Sequence, residues 1–262
     1  MKCSGSILYS TIHFIIILSL FSCVKNGSVT SVAYDLNYGD SILFLRPSSG
    51  DYIVYPKTQR NGVYSGFPEG IEIDDKTGAI NVSKSETGLR YRITHTAPDG
   101  TITTTKVVLS GITYFDQFYR LSQNDTISFP AYNASGTNPL PVAGSIFDDG
   151  GGANSSGCDV KTINGQINLA QTVRNGLFGS NPANDSRRDI EIVYRLNDGS
   201  GKTLNKLKVR LYYYTSMATV ALDLLQTLAE RQNGGVFLRG GGIARTEQAA
   251  RPRPPCVIII AN

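Results

Sequence analysis

Runs of alternating apolar and polar residues fill most of the chain between residues 34 and 214. Alternation with a period of two predicts half-buried β-strands, and clusters of Gly, Pro, Asn and Asp separate the runs as turns do. Asp-Gly stands between such runs at residues 99–100 and 198–199, where it is a strong signal of a β-hairpin. The pattern predicts an all-β fold of short strands, as in β-sandwiches.

The same landmarks occur twice, as expected when two similar units follow one another. Asp-(Ser/Thr)-Ile is found at residues 40–42 and again at residues 125–127, and Gly-x-Ile ends at Ile80 and again at Ile167. If this repeat is structural, the matched residues occupy equivalent places, and Ile80 and Ile167 are buried.

We therefore expect two tandem immunoglobulin-like β-sandwich domains, residues 34–113 and 114–215, followed by a short C-terminal helix and an apolar tail in residues 216–262. Within residues 217–231, apolar side chains recur at helical spacing and form one stripe. They are Val220, Ala221, Leu224, Leu225 and Leu228. Such a helix packs on its own domain or docks on a partner, and the first is the more usual.

The tail at residues 256–260 reads Cys-Val-Ile-Ile-Ile and follows the stiff segment Arg-Pro-Arg-Pro-Pro. Branched apolar runs normally lie between neighbours in a sheet, because they invite edge pairing when exposed. The tail adds a strand either to its own second domain or to another protein by β-augmentation. We expect the first, because chain ends that stay unpaired are usually polar.

The first residues of the chain have the pattern of an export signal. An apolar run from residue 12 to residue 21 has the length of a signal-peptide core and is too short to cross a bilayer. Residues 20–23 read Leu-Phe-Ser-Cys and resemble the lipobox of bacterial lipoproteins, in particular those of the Bacteroidota. The resemblance implies a signal peptide in residues 1–22, a lipidated linker in residues 23–33, and lipidation of Cys23 that anchors the chain to the outer membrane of the cell envelope.

Residues 68–80 read Pro-Glu-Gly-Ile-Glu-Ile-Asp-Asp-Lys-Thr-Gly-Ala-Ile. This segment is similar to the Pro-x-Gly-Ile-x-Ile-Asp-x-x-Thr-Gly-x-Ile stretch of bacterial cadherin-like and immunoglobulin-like modules. Members of that family are mostly binding, adhesive or spacer domains, which the resemblance implies for this chain too. The acidic calcium-ligand strings of true cadherins are not present.

Candidate catalytic chemistry is sparse. His95 is the one histidine after the leader, and we expect it on the surface of a strand. Asp148 and Asp149 open a Gly-rich segment that we expect to be a flexible acidic loop rather than a calcium loop. We therefore predict no enzyme, no catalytic residue, no cofactor and no metal site.

Two further pairs of residues suggest modification. Cys158 and Cys256 can form a disulfide in an oxidising envelope, or they remain two thiols. Ser41 and Thr126 lie in Asp-(Ser/Thr)-apolar triplets that resemble acceptors of Bacteroidota envelope O-glycosylation, although an acidic turn that opens a strand explains the same residues.

Charge and aromatic content narrow the partners. The chain has 25 Lys and Arg against 21 Asp and Glu and no basic cluster, so nucleic acid is not expected as a partner. We expect a non-catalytic envelope lipoprotein that binds or scaffolds another envelope protein, and it should expose an apolar strip near the C-terminal helix. The alternative is a glycan-binding lipoprotein of a nutrient-uptake system, which should expose clustered members of the 14 Tyr.

Overall fold

The computed structural model describes residues 33–233 and 254–262, so the predicted signal peptide, Cys23 and residues 234–253 lie outside the described residues. Most of the regular structure is β-strand, which confirms the predicted β-rich class. The strands of the first half are β1 (Ile42–Leu43), β2 (Ile53–Val54), β3 (Val63–Phe67), β4 (Ile80–Asn81), β5 (Leu89–Thr96) and β6 (Ile102–Leu109). Those of the second half are β7 (Ile112–Tyr114), β8 (Gln117–Arg120), β9 (Ile127–Ser128), β10 (Pro130–Tyr132), β11 (Ile146–Phe147), β12 (Ile167–Asn168), β13 (Ser186–Arg195), β14 (Leu204–Tyr214) and β15 (Cys256–Ile260).

Helices are few and short in the part of the chain that the structure describes. They are α1 (Gly152–Ser155), α2 (Leu169–Arg174) and α3 (Leu222–Asn233), with 3-10 turns at Leu121–Gln123 and Met217–Thr219. Among the described residues, no helix is both long enough and apolar enough to cross a membrane.

The first half is built around a four-stranded sheet in the order β1-β6-β5-β3. β5 and β6 form the predicted antiparallel hairpin, and β1 runs parallel to β6 with Ile42 beside Val108. The short pair β2 and β4 forms a second layer. Ile80 of β4 packs in one apolar cluster with Tyr91 and Ile93 of the large sheet, so the core lies between the two layers.

The second half repeats this plan with one strand more. Its main sheet has the order β11-β13-β14-β15-β8, and β13 and β14 form the second predicted hairpin. β9 and β12 pair antiparallel, as β2 and β4 do. The order matches that of the first sheet except that β15 stands between β14 and β8, whereas β6 and β1 are direct neighbours.

A tight turn of the same kind precedes β4 and β12. The amide of Gly78 donates to the carbonyl of Asp74 at 2.9 Å, and the amide of Gly165 donates to the carbonyl of Lys161 at 2.8 Å. Both glycines have left-handed backbone angles, with φ of +71° and +70°. Only glycine adopts this conformation without steric cost, which explains why both turns carry it.

These turns also seat an aromatic ring in each core. A Cβ placed on Gly78 would lie 2.7 Å from the ring of Tyr64, and one on Gly165 would lie 2.8 Å from the ring of Phe147. Ile80 and Ile167 follow directly and are completely buried. The predicted burial and equivalence of these two isoleucines are therefore confirmed.

The other half of the sequence repeat is wrong. Residues 42–43 form β1, which is parallel to β6, whereas residues 127–128 form β9, which is antiparallel to β12. Asp40 and Asp125 therefore do not occupy equivalent places. The triplets match because an Asp that opens a strand is a general device: the carboxylate of Asp40 accepts a hydrogen bond from the amide of Ile42 at 3.2 Å.

Polar side chains join the two halves. The hydroxyl groups of Thr87 and Tyr194 lie 3.0 Å apart, and the side-chain amide of Asn205 donates to Thr87 at 2.8 Å. Nearby, Ser110 donates to a carboxylate oxygen of Asp198 at 2.9 Å. Residues 34–262 group into one compact unit, although the buried apolar side chains of the two halves form separate clusters.

Candidate functional site

β15 lies inside the main sheet of the second half. It runs parallel to β14 on one side and to β8 on the other, from Val257 beside Gln117 to Ile260 beside Arg120. None of its five side chains is more than 2% exposed. Pairing of the apolar tail within its own domain is therefore confirmed.

The side chains of β15 alternate between two clusters, as those of a strand buried on both faces must. Val257 and Ile259 pack into the core of the second half. Cys256, Ile258 and Ile260 pack on the opposite face, in the cluster that also holds Leu224 of α3. The strand therefore completes two apolar clusters at once.

Helix α3 covers the second of these clusters, so packing of the helix on its own domain is also confirmed. Leu224 is buried, and Leu228 packs against the same cluster. The helix begins later than the apolar stripe suggested, because residues 217–219 form a 3-10 turn. Val220 and Ala221 contact the cluster from the segment that leads into α3.

A buried ion pair holds the beginning of β15. The guanidinium of Arg231 in α3 lies 3.2 Å from the carboxylate of Asp116, which precedes β8. The same Asp116 carboxylate accepts from the amide of Cys256 at 2.6 Å, and Arg231 also donates to the carbonyl of Pro254 at 3.1 Å. We call Asp116, Arg231 and Cys256 the strand clasp, because they tie the helix, β8 and the start of β15 together.

The electrostatics of the strand clasp follow from its burial. Burial raises the pKa of the Asp116 carboxyl group, and the charge of Arg231 offsets part of that effect. Burial, followed by the charge of Asp116, raises the pKa of the Cys256 thiol. Since a thiol with a raised pKa carries little thiolate at neutral pH, Cys256 is set up as a packing group rather than a nucleophile.

A Cys158–Cys256 disulfide does not form in this structure. Both residues are free thiols and both are buried. Cys158 belongs to the core of the second half, while Cys256 faces α3 on the other side of the sheet. Burial raises the pKa of Cys158 to about 12, so this thiol is unreactive too.

α3 presents an apolar face away from the sheet. Leu222 is 71% exposed and Leu225 is 38% exposed, and Met217 lies just before the helix at 36%. Residues three apart on a helix point to the same side, so Leu222 and Leu225 share one surface. We call Leu222 and Leu225 the helix patch.

Tyrosines do not form a comparable surface in the described residues. Of the Tyr side chains there, only Tyr55 is exposed, and the others are buried or half-buried. Tyr212 and Tyr214 stack with ring centroids 6.4 Å apart inside the cluster under α3. These two tyrosines are core residues.

His95 is buried, so its expected surface position is wrong. The ring lies 4.6 Å from that of Tyr64 and 4.9 Å from that of Tyr34, between centroids. Its Nε2 atom lies 3.1 Å from the carbonyl oxygen of Asn61. Alternation in β5 places His95 on the same face as Tyr91 and Ile93, which is the core face. This alternation is visible in the sequence, and it is a stronger indicator of burial than the polarity of one histidine.

The expected flexible acidic loop is an ordered structure. Asp148 is buried, and its carboxylate accepts from the amides of Ala153 at 2.8 Å and Asn154 at 2.9 Å, at the start of α1. Asp149 instead pairs with Arg195 at 2.7 Å near the surface. Both carboxylates are thus engaged by protein groups, and no cluster of metal-binding residues occurs among the residues that the structure describes.

The two candidate glycosylation residues differ in access. Ser41 is exposed at the start of β1, whereas Thr126 is half-buried and its carbonyl accepts from the amide of Leu169 at 2.8 Å. Modification of the hydroxyl groups stays a prediction at both residues. Cys23 lies outside the described residues.

A polar groove of about 580 Å³ lies where the two halves meet. Lysines and glutamates line it, and they already pair across its wall: Lys206 lies 3.0 Å from Glu191. The groove has no aromatic lining and no concentration of one charge, so nothing in it selects a ligand.

Comparisons with known proteins gave weak structural similarity only. No protein-family description matches the sequence, and no curated protein matches it either. Among solved structures, the chain is weakly similar to protocadherin gamma B7 extracellular cadherin domains 1–4, with a TM-score of 0.21 and 11% identity over 68% of this chain and 50% of that one. It is equally weakly similar to Drosophila N-cadherin EC1-4, with a TM-score of 0.21 and 11% identity over 66% of this chain and 47% of that one.

The chain thus spans about half the length of the cadherin structures that it matches. The fold is defined by the sheets described above.

Proposed function

We propose that this protein is a non-catalytic envelope lipoprotein that binds another envelope protein through the helix patch. In this proposal two tandem immunoglobulin-like modules, residues 34–113 and 114–215, support the C-terminal helix that carries the patch, and a lipid on Cys23 holds the chain on the outer membrane. The helix patch is the observation that supports protein binding most directly. Large exposed apolar side chains grouped beside one another are typical of protein interfaces.

The position of the patch strengthens the proposal. α3 is fixed from below by Leu224 and by the strand clasp, so Leu222 and Leu225 are presented on a rigid support. A partner that covers them meets a preordered surface and pays little conformational entropy. A glycan platform would need a group of flat exposed aromatic side chains, and Tyr55 is the only exposed tyrosine among the described residues.

Affinity purification of the tagged lipoprotein from solubilised envelopes tests the patch. We expect a co-purifying protein with the natural chain, and we expect Leu222→Gln with Leu225→Gln to lose it, because the apolar contact area is gone. Ile163→Gln is the matched control, since Ile163 is 73% exposed but lies in a turn of the second half. Retention of the partner by the Leu222/Leu225 variant would contradict the proposal.

Lipidation is tested separately. Cys23→Ala removes the thiol that would carry the diacylglycerol, so the variant should leave the detergent phase in a detergent-phase partitioning experiment. The natural chain should enter it. If the variant is processed at its leader and still partitions with detergent, the lipid anchor is refuted.

A further inference from the structure

We infer that β15 is an exchangeable strand: the β15 of one copy of this chain fills the place between β8 and β14 of a second copy. The inference goes beyond the function proposed above, because it names a second copy of this chain as a partner and a different surface. It does not depend on the helix patch or on the lipid.

The two main sheets differ at one position. In the first half, β1 pairs directly with β6, so no other strand lies between them. In the second half, the corresponding strands β8 and β14 do not touch in the ladder, because β15 separates them. β15 therefore occupies a position that has no counterpart in the first half. The second half thus contains an acceptor site for one added strand, between β8 and β14.

The second step concerns what β15 contributes. It is parallel to both neighbours, and all five of its side chains are buried, with Val257 and Ile259 on one face and Ile258 and Ile260 on the other. An acceptor without this strand would expose two apolar clusters and two rows of backbone hydrogen-bonding groups. We therefore expect the acceptor between β8 and β14 always to hold a strand. Molecules differ in whether that strand comes from the same copy or from another copy.

The third step concerns the connection. In sequence, residues 234–253 separate α3 from Pro254, which is 20 residues and allows a span of up to about 70 Å when extended. Nothing in the strand clasp distinguishes a strand of the same copy from that of another. Asp116 and Arg231 belong to the acceptor, and they bind the Cys256 amide and the Pro254 carbonyl, both of which travel with the strand.

Exchange consequently preserves every contact of β15 and changes only which chain it belongs to. For this reason the free energies of the closed and exchanged forms differ chiefly by the entropy of association, which rising protein concentration offsets. A higher concentration of the chain therefore shifts the population toward the exchanged form.

Disulfide trapping between two labelled copies tests the inference. The register places Ala261 beside Thr215, because Ile260 lies beside Tyr214 and the amide of Ala261 donates to the Tyr214 carbonyl at 3.0 Å. One full-length chain carries Thr215→Cys and the other Ala261→Cys, and both carry Cys3→Ser and Cys23→Ser so that no lipid or leader thiol interferes. The two are mixed at high concentration, oxidised, and separated without reductant.

We expect a disulfide-linked heterodimer of twice the chain mass in the mixture and its absence when either chain is oxidised alone. A chain with both cysteines is the positive control for geometry and should form the bond within one molecule. Adding Ile259→Asp to the Ala261→Cys chain should abolish the heterodimer, because that strand cannot enter the acceptor. Adding Leu222→Gln and Leu225→Gln instead should leave it unchanged.

A mixture that yields no heterodimer, beside a double variant that closes its own bond, overturns the inference and leaves the proposed helix patch and lipid anchor standing. Light scattering on the unsubstituted full-length chain gives an independent readout if the double variant does not close. A mass of two or more copies at high concentration that reverts on dilution supports exchange, and a single-copy mass at every concentration refutes it.

Discussion

Single buried polar groups decide much of the local order in this chain, and Asp148 is the clearest case. Its carboxylate accepts two backbone amides at the start of α1 and the side-chain amide of Asn154 at 2.6 Å. Asp148→Ala should lower the free energy of unfolding by about 2–4 kcal/mol, because it leaves buried donors without an acceptor. Urea unfolding followed by circular dichroism measures this loss.

Asp149 provides the control for that experiment. It is the adjacent acid in sequence, but its pairing with Arg195 is about one-third exposed on both sides. Asp149→Ala should cost only about 0–1 kcal/mol, as surface ion pairs do. Equal losses for the two variants would show that Asp148 does not order α1 as described.

Glycine at the two equivalent turns gives the second prediction at the residue scale. Gly78→Ala and Gly165→Ala should each destabilise the protein by about 2–3 kcal/mol, since the new methyl group meets an aromatic ring and the backbone is left-handed. Gly100→Ala isolates the backbone effect, because Gly100 has φ of +84° and open space around its Cβ position. Its loss should be about 1 kcal/mol, and thermal unfolding ranks the three variants.

At the scale of elements, the alternating pattern was enough to predict the strands and both hairpins, because Asp-Gly and a period of two are local signals. Helix α3 and the pairing of the tail were predictable for a similar reason, since each buries one apolar stripe or run. The strand order was not predictable: insertion of β15 between β14 and β8 depends on contacts between residues far apart in sequence. The burial of His95 was predictable from the alternation in β5, but its polarity led to the wrong expectation of a surface position.

β15 also allows a direct test of its own importance. Ile258→Ala and Ile259→Ala should each lower the free energy of unfolding by about 2–5 kcal/mol, because both side chains are fully buried, on opposite faces of the sheet. Leu225→Ala, on the exposed side of α3, should stay within about 0.5 kcal/mol of the natural chain. Denaturant unfolding of the three variants measures these changes in the free energy of unfolding. An Ile259→Ala protein as stable as the natural chain would contradict the described packing.

At the scale of the whole molecule, the polar contacts between the halves predict cooperative unfolding. Tyr194→Phe removes the hydroxyl group that lies 3.0 Å from that of Thr87 and should cost about 1–2 kcal/mol. It should also separate one unfolding transition into two, because this hydroxyl bridges the halves. Differential scanning calorimetry tests this: we expect a single peak for the natural chain and a broadened or divided peak for the variant.

Tyr119→Phe is the matched control at this scale. Its hydroxyl lies 2.8 Å from that of Ser128, and both residues belong to the second half. A comparable loss of stability with a single sharp transition is expected. If both variants behave alike, the Thr87–Tyr194 contact does not couple the halves.

The place of β15 in the sheet also sets the order in which the second half can be completed during synthesis. β8 leaves the ribosome about 140 residues before its neighbour β15. The sheet therefore cannot be completed until two strands that are far apart in sequence have paired. Until residue 260 has emerged, β8 and β14 lack the strand between them, and the second half stays open. A chain whose synthesis stops between residues 214 and 256 therefore cannot complete this sheet.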